Sequence, residues 1–200
     1  MTKIKLCGLS RPCDIQLANQ LRPDYIGFVF AAKSKRYVTP EQAASLKHLL
    51  HPAIQAVGVF VREAPETVAA LLNNGIIDVA QLHGGEEEAY IRQLCQLTTK
   101  PVIKAFRVEQ ASDLVLAQNS TADMVLLDSG EGGTGQVFDW TLLSQMQRPY
   151  FLAGGLHPDN VQAAIRCLAP YGVDVSSGIE TDGRKDAAKM KQFVSAVRGV

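Results

Sequence analysis

The segment Met124-Val125-Leu126-Leu127-Asp128 is a run of four apolar residues that ends in a carboxyl group, where a glycine-rich stretch begins. Four further apolar runs also end where a turn begins, and they are Ile4–Cys7, Tyr25–Phe30, Asp78–His83 and Val173–Ser176. Apolar runs of this length, bounded by glycine, serine or charge, are typical of buried strands. The sequence therefore predicts buried strands, several of which carry functional groups at their carboxyl ends.

Segments with helical spacing alternate with strand-like segments along the whole chain. The predicted strands are Lys3–Cys7, Tyr25–Phe30, Ala53–Val61, Asp78–Leu82, Pro101–Phe106, Met124–Asp128, Tyr150–Ala153 and Gly172–Val175. The predicted helices are Pro12–Leu21, Pro40–Leu50, Pro65–Asn74, Glu86–Leu97, Gln110–Asn119, Asp139–Met146, Pro158–Leu168 and Lys185–Val197. Eight such units imply parallel pairing. We expect an α/β fold with one (β/α)8 TIM barrel domain over residues 1–200, and an open doubly wound sheet of fewer strands is the alternative.

Composition and charge disfavour several classes of partner. The 200 residues include 20 basic and 20 acidic side chains, so the basic excess typical of nucleic-acid binding is missing. No apolar run approaches the ~20 residues of a membrane span. The N-terminal residues lead straight into a strand, which leaves no room for a signal peptide. We expect a cytoplasmic protein with reduced thiols that binds neither nucleic acid nor membrane, as a monomer or a homodimer.

The first strand places a thiol at the predicted mouth of the barrel. Side chains alternate along a strand, so Lys5 and Cys7 share one face while Ile4 and Leu6 share the other. The apolar face suits the helices, and the Lys5 face therefore points into the barrel. A neighbouring cation lowers the pKa of a thiol and makes it a better base or nucleophile. The alternative is that Cys7 is a small, inert core residue.

Asp128 ends the sixth strand and is followed by a glycine-rich segment, 129–135. A carboxyl group at the rim of an apolar strand is partly desolvated, which favours its neutral form and allows it to donate a proton. The segment that follows is predicted to act as a flap that closes over a site. The alternative is a solvated aspartate that opens a turn.

Two glycine-containing segments follow the last two strands, and they predict a phosphate site. Gly154 and Gly155 come after the seventh strand, and Ser177 and Gly178 come after the eighth. Successive backbone N–H groups form anion-binding concavities, and a short helix starting near Gly178 would add its positive end. Many barrels of this class hold a phosphate in these two loops.

The chain resembles the phosphoribosylanthranilate isomerase family over its whole length. Nine ordered motifs carry this resemblance: Lys5-Leu6-Cys7-Gly8, Gly27-Phe28-Val29-Phe30, Ser34-Lys35-Arg36-Tyr37-Val38, Gly58-Val59-Phe60, Gln81-Leu82-His83-Gly84, Leu126-Leu127-Asp128-Ser129, Gly132-Gly133-Thr134-Gly135, Ala153-Gly154-Gly155-Leu156 and Asp174-Val175-Ser176-Ser177-Gly178-Ile179-Glu180. The resemblance implies an Amadori rearrangement of N-(5'-phosphoribosyl)anthranilate in tryptophan biosynthesis, without metal or cofactor. It further implies that Cys7 is the general base, that Asp128 is the general acid and that Arg36 binds the substrate carboxylate. On the residues alone, Arg36 would be read as a solvated loop charge.

Three further residues are possible substrate contacts. Lys5 and Asp174 could form an ion pair inside the barrel, or Asp174 could bind a ribose hydroxyl. His83 ends the fourth strand and is interpreted as a structural residue or a substrate contact. No two histidines have ligand spacing on one element, so a metal site is not expected. Two other functions stay open at this point: a phosphopentose epimerase-type barrel, and a module that binds a phosphorylated ligand without catalysis.

Overall fold

Eight parallel strands close into a barrel in their sequence order in the computed structural model, which describes residues 1–128, 143 and 145–200. The strands are β1 (Lys3–Cys7), β2 (Tyr25–Val29), β3 (Gln55–Phe60), β4 (Val79–Leu82), β5 (Val102–Arg107), β6 (Met124–Asp128), β7 (Tyr150–Ala153) and β8 (Gly172–Val175). β1 pairs with both β2 and β8, which closes the sheet. The predicted TIM barrel is therefore confirmed.

Seven helices of the described residues lie around this barrel. They are α1 (Pro12–Leu21), α2 (Pro40–Leu49), α3 (Pro65–Asn73), α4 (Glu88–Leu97), α5 (Ala111–Asn119), α6 (Val161–Leu168) and α7 (Ala187–Arg198). The predicted helix Asp139–Met146 falls largely on residues 129–142 and 144, which lie outside the described residues. Within the described ranges, every helix is too short or too polar to cross a membrane.

The alternation of side chains along the strands divides the core into two layers. Outward residues such as Ile4, Leu6 and Phe28 pack against the helices in one large apolar cluster. Inward residues fill the lower part of the barrel, and they include Tyr25, Val57, Val79, Ile103, Leu126 and Phe151. The upper inward layer is small or polar, and Cys7 lies there beside Val29 and Val59. A filled lower barrel therefore leaves room for chemistry only at the carboxyl ends of the strands.

Three helices begin two or three residues later than predicted: α6 begins three residues late, at Val161, and α4 and α7 begin two residues late because a turn or a hairpin takes the first residues. α4 begins at Glu88 rather than Glu86, since the Glu86 carboxylate accepts hydrogen bonds from the backbone of Gly84 and Arg62. α7 begins at Ala187 rather than Lys185, because a short hairpin precedes it. This hairpin consists of β9 (Glu180–Thr181) and β10 (Arg184–Lys185). The remaining predicted boundaries lie within three residues of the observed ones.

Candidate active site

Lys5 and Asp174 form an ion pair beneath the mouth of the barrel. They are register partners on β1 and β8, and the Lys5 Nζ donates to Asp174 Oδ1 at 2.9 Å. Lys5 is fully buried. Burial by itself lowers the pKa of Lys5, but Asp174 and Cys7 together raise it above the ordinary lysine value, so Lys5 stays charged. Of the two partners considered for Asp174, the structure shows the lysine.

Cys7 lies directly above this pair and is enclosed by its neighbours. An added Cβ on Gly27 would come within 2.7 Å of the Cys7 Sγ, so only glycine fits at that position of β2. The Ser176 hydroxyl donates to the Cys7 carbonyl oxygen at 3.2 Å. Burial raises the pKa of the Cys7 thiol, and the opposing effect of Lys5 does not cancel that rise. The predicted lowering of this pKa by a cationic neighbour was therefore wrong in its net direction, because desolvation outweighs the charge.

Asp128 lies on the other side of the mouth, at the end of β6, and contacts His83. The His83 Nε2 lies 3.4 Å from Asp128 Oδ2, and the His83 Nδ1 lies 3.1 Å from the side-chain nitrogen of Gln81. Gln81 is buried inside the barrel, and its Oε1 has no hydrogen-bond partner among the described residues. His83 therefore lies between the side-chain amide of Gln81 and the carboxyl group of Asp128, the candidate acid. The predicted flap, 129–135, lies outside the described residues.

Arg36 reaches the same mouth from the loop after β2. Its Nε and Nη2 donate to the two carboxylate oxygens of Glu180 at 2.6 and 2.7 Å. Lys185 donates to the same carboxylate at 2.6 Å. Burial raises the pKa of Glu180, but the hydrogen bonds from Arg36 and Lys185 outweigh it and bring the pKa to about 2. Glu180 is therefore a carboxylate held between two cations.

The two glycine-containing loops lie against each other. Gly154 and Gly155 have φ of 90° and 62°, a backbone conformation that favours glycine. Residues Ser177–Ile179 form one turn of 3-10 helix, as the sequence predicted near Gly178. An added Cβ on Gly178 would lie 1.9 Å from the carbonyl oxygen of Leu156, so the backbone of the second loop rests directly on the first.

One cavity of about 350 Å³ brings the predicted site residues together. Eight of the ten predicted positions line it, namely Cys7, Arg36, His83, Asp128, Gly154, Gly155, Asp174 and Ser177. The other two lie just behind its wall: Lys5 beneath Cys7 and Gly178 against Leu156. Within the described ranges, no three His, Cys, Asp or Glu side chains converge as metal ligands would. The cavity therefore combines a thiol, a carboxyl group, a guanidinium and two glycine loops.

A family model described as N-(5'-phosphoribosyl)anthranilate (PRA) isomerase matches residues 4–196. The chain belongs to this family. It is a PRA isomerase, an enzyme of tryptophan biosynthesis. Family membership decides against both the epimerase-type barrel and the non-catalytic binding module.

Known PRA isomerases match the chain from end to end. The isomerase of Endomicrobium trichonymphae is 44% identical over 204 residues, with all of both chains covered. A crystal structure of the isomerase of Thermotoga maritima is 36% identical, covers all of both chains and superposes with a TM-score of 0.90. Another PRA isomerase, 35% identical with a TM-score of 0.87 and also fully covered, was crystallised with reduced 1-(o-carboxyphenylamino)-1-deoxyribulose 5-phosphate.

Sequence reasoning about this PRA isomerase missed the polar residues that support the site. Glu180 and Lys185 were not identified as site residues, although Glu180 ends the motif Asp174–Glu180, because its partner Arg36 lies 144 positions away in the sequence. Gln81 was noted only as a neighbour of His83. The usable signal was polarity at inward-facing strand positions, since Gln81 and Asp174 alternate with apolar residues that face the helices.

Proposed function

We propose that this PRA isomerase rearranges N-(5'-phosphoribosyl)anthranilate to 1-(2-carboxyphenylamino)-1-deoxyribulose 5-phosphate without metal or organic cofactor, using Cys7 as general base and Asp128 as general acid. The observation that carries this proposal is the single cavity lined by Cys7, Asp128, Arg36 and the two glycine loops. Such a cavity offers one group for each chemical feature of the substrate. These features are the phosphate, the sugar and the anthranilate carboxylate.

The two ends of the substrate fix its orientation. The phosphate binds at Gly154, Gly155, Ser177 and Gly178, where backbone N–H groups and the short helix favour an anion. The planar carboxylate binds to Arg36, whose guanidinium can donate two parallel hydrogen bonds. The relative with a bound phosphorylated product analogue supports a ligand of this chemistry. The sugar then lies between the two sites, within the mouth formed by β1 and β6.

Asp128 performs the first proton transfer. In its neutral form it donates a proton to the ring oxygen of the ribose, while the lone pair of the anilino nitrogen forms a double bond to C1 and the C1–O bond breaks. The product of this step is an open-chain iminium ion with a hydroxyl at C4. The contact between Asp128 and His83 holds the carboxyl group at the rim of the cavity during this transfer.

Cys7 performs the second transfer as a thiolate. It removes the proton from C2, and the electrons of that C–H bond neutralise the iminium to give an enolamine. Proton uptake at C1 and loss of the enol proton then give the ketone, so the overall change is an isomerisation. A buried thiol of raised pKa is the stronger base once it is ionised, and Lys5 supplies the charge that stabilises that ionised form.

Replacement of the two groups tests this assignment. Cys7→Ala and Asp128→Asn should each lower kcat by about two to four orders of magnitude, the usual size for the loss of an acid or base. Binding of the reduced product analogue should largely survive. Cys95→Ala is a matched control, since Cys95 is an exposed cysteine on α4. Activity is followed by the loss of substrate fluorescence. An unchanged kcat in either variant would contradict the assigned role.

Three coarser features of this enzyme stay predictions. We propose that residues 1–200 act as one domain, that the protein works in the cytoplasm, and that it is a monomer or homodimer. A structure of monomers made from the Thermotoga maritima enzyme describes that enzyme as dimeric. Sedimentation at micromolar concentration distinguishes the two states for this chain.

A further inference from the structure

A cluster of four charged side chains, which includes the exposed Lys35 at 3.9 Å from Glu180 Oε2, links the loop after β2 to the hairpin after β8. Glu180 is at its centre, with Arg36 on one side and Lys185 on the other. The side chains of Glu180 and Lys185 are only 6% and 2% exposed, whereas Arg36 is 21% exposed and lines the cavity. The cluster is therefore buried at its centre and open at the guanidinium.

The guanidinium of Arg36 has two edges that can each bind a carboxylate. Glu180 occupies the edge formed by Nε and Nη2. The other edge, formed by Nη1 and the second N–H of Nη2, makes no hydrogen bond to the described residues. A guanidinium carries five N–H donors in one rigid plane, so fixing one edge also fixes the direction of the other.

The aliphatic part of Arg36 is held as well. An added Cβ on Gly8 would come within 2.5 Å of the Arg36 Cδ, so the side chain lies flat against the backbone next to Cys7. Contacts at Cδ and at the Nε edge restrain the chain at two points. Arg36 lines the cavity, so the N–H groups of its unoccupied edge are those left for a ligand.

Lys185 is the second partner of Glu180, and it is buried. Its Nζ donates to Glu180 Oε1 at 2.6 Å and to the carbonyl oxygen of Ser176 at 2.9 Å. Arg36, Lys185 and the exposed Lys35 around one anion leave the cluster with a net charge of about two positive units. The buried Lys185 offsets the charge of Glu180, so this anion does not cancel the attraction of Arg36 for a substrate carboxylate.

We propose that Glu180 is a positioning residue, which holds Arg36 so that its unoccupied edge receives the anthranilate carboxylate. This inference rests on the proposed role of Arg36 as the carboxylate-binding residue. Glu180 acts through Arg36 and does not touch the substrate. The enzyme then selects for a planar carboxylate in one orientation, because Glu180 already takes one edge of the guanidinium and leaves only the other.

Two probes measure this selection. One is the reduced product analogue with its ring carboxylate, and the other is the same molecule with phenylamino in place of carboxyphenylamino. The ratio of their dissociation constants reports carboxylate recognition and is insensitive to a general loss of folded protein. Arg36→Met should abolish the preference for the carboxylate. Glu180→Gln should reduce it about tenfold, within the range of couplings between directly contacting residues.

The double variant Arg36→Met/Glu180→Gln should show no further loss beyond Arg36→Met, because Glu180 acts only through Arg36. KM for the substrate should rise more in Glu180→Gln than kcat falls. If Glu180→Gln folds poorly with Lys185 left unpaired, Glu180→Gln/Lys185→Met removes both charges and should show the same reduced preference. Glu109→Gln is the control, since Glu109 forms an exposed ion pair with Arg107.

The outcomes separate this inference from the proposed function. If Arg36→Met abolishes the preference while Glu180→Gln and Glu180→Gln/Lys185→Met keep it, the inference is overturned and the role of Arg36 stands. If Arg36→Met itself keeps the preference, the carboxylate site lies elsewhere and both proposals fail. A tighter carboxylate preference in Glu180→Gln would show that Glu180 competes with the substrate, which also overturns the inference, as would additive losses in the double variant.

Discussion

Cys7 illustrates how one residue combines opposing electrostatic effects. Burial raises the pKa of its thiol, Lys5 lowers it and Asp174 raises it again, with a net rise above the ordinary value. As the proposed general base, Cys7 would act only in its ionised form, which its raised pKa makes a small fraction at neutral pH. That fraction should rise with pH.

We predict that the residual kcat/KM of Asp128→Asn, in which the proposed acid no longer titrates, rises with pH from neutrality to beyond the ordinary thiol pKa of 9.0. The sign follows from the raised pKa of Cys7, because the active thiolate accumulates only as pH increases. Lys5→Met should move this rising limb to higher pH, and Asp174→Asn should move it to lower pH. The measurement is the pH profile of kcat/KM, which reports groups of the free enzyme. Lys100→Met, at an exposed position, should leave the profile in place.

At this scale the sequence identified side chains that line the cavity but not their surroundings. Cys7, Asp128 and Arg36 were visible as side chains at strand ends or in a family motif. The net direction of the Cys7 pKa shift was not visible, because it depends on how completely β2 and β8 exclude water from the thiol. Glu86 was wrongly assigned to the first turn of α4. Its partner Lys104, at 3.0 Å, lies on the outer face of β5, and the sequence did not indicate this contact.

The elements proposed to bind the substrate phosphate are the loops after β7 and β8. Their contact is close, since Gly178 rests on the Leu156 carbonyl oxygen. Anything that separates these loops changes the spacing of the backbone N–H groups proposed to bind phosphate. The hairpin β9–β10 continues the second loop and carries the positioning residue, so one segment serves both ends of the substrate.

Gly178→Ala should raise KM by about tenfold, a loss of ~1.4 kcal/mol in phosphate binding. The new methyl group would lie too close to the Leu156 carbonyl oxygen and would push the loops apart. The measurements are KM for the substrate and the dissociation constant of the reduced product analogue.

Gly172→Ala is a matched control, because its Cβ would meet the Phe151 ring at 2.5 Å at the other end of the barrel. It should destabilise the fold by roughly 1–3 kcal/mol without changing KM. Equal KM values in the two variants would contradict the proposed phosphate site.

Element order followed from the sequence, whereas the hairpin did not. Alternation of apolar strands with helical segments predicted all eight strands. In the structure α2 begins after Thr39, whose hydroxyl accepts from the Gln42 backbone N–H. Two-residue strands such as β9 and β10 have no periodicity to detect. They accompany the ion pairs that Glu180 forms with Lys185 and Arg36, and these contacts exist only in the folded chain.

Across the whole molecule, the Lys5–Asp174 pair lies where the barrel closes. It joins the first strand to the last, and the two residues are direct register partners. A buried ion pair seldom adds net stability over an apolar pair, but removal of one partner leaves a buried charge. The same two residues therefore join β1 to β8 and lie beneath Cys7 in the mouth of the barrel.

We predict that Lys5→Met and Asp174→Leu each lower the free energy of unfolding by about 3–5 kcal/mol, since each leaves the other charge without its partner. The double variant Lys5→Met/Asp174→Leu should recover most of that loss, because no buried charge remains. The measurement is urea unfolding of the four proteins, analysed as a double-mutant cycle. Glu109→Gln, which removes an exposed ion pair, should cost about 1 kcal/mol or less. Additive losses in the double variant would mean that these side chains stabilise the barrel by separate contacts and that the seam does not depend on their pairing.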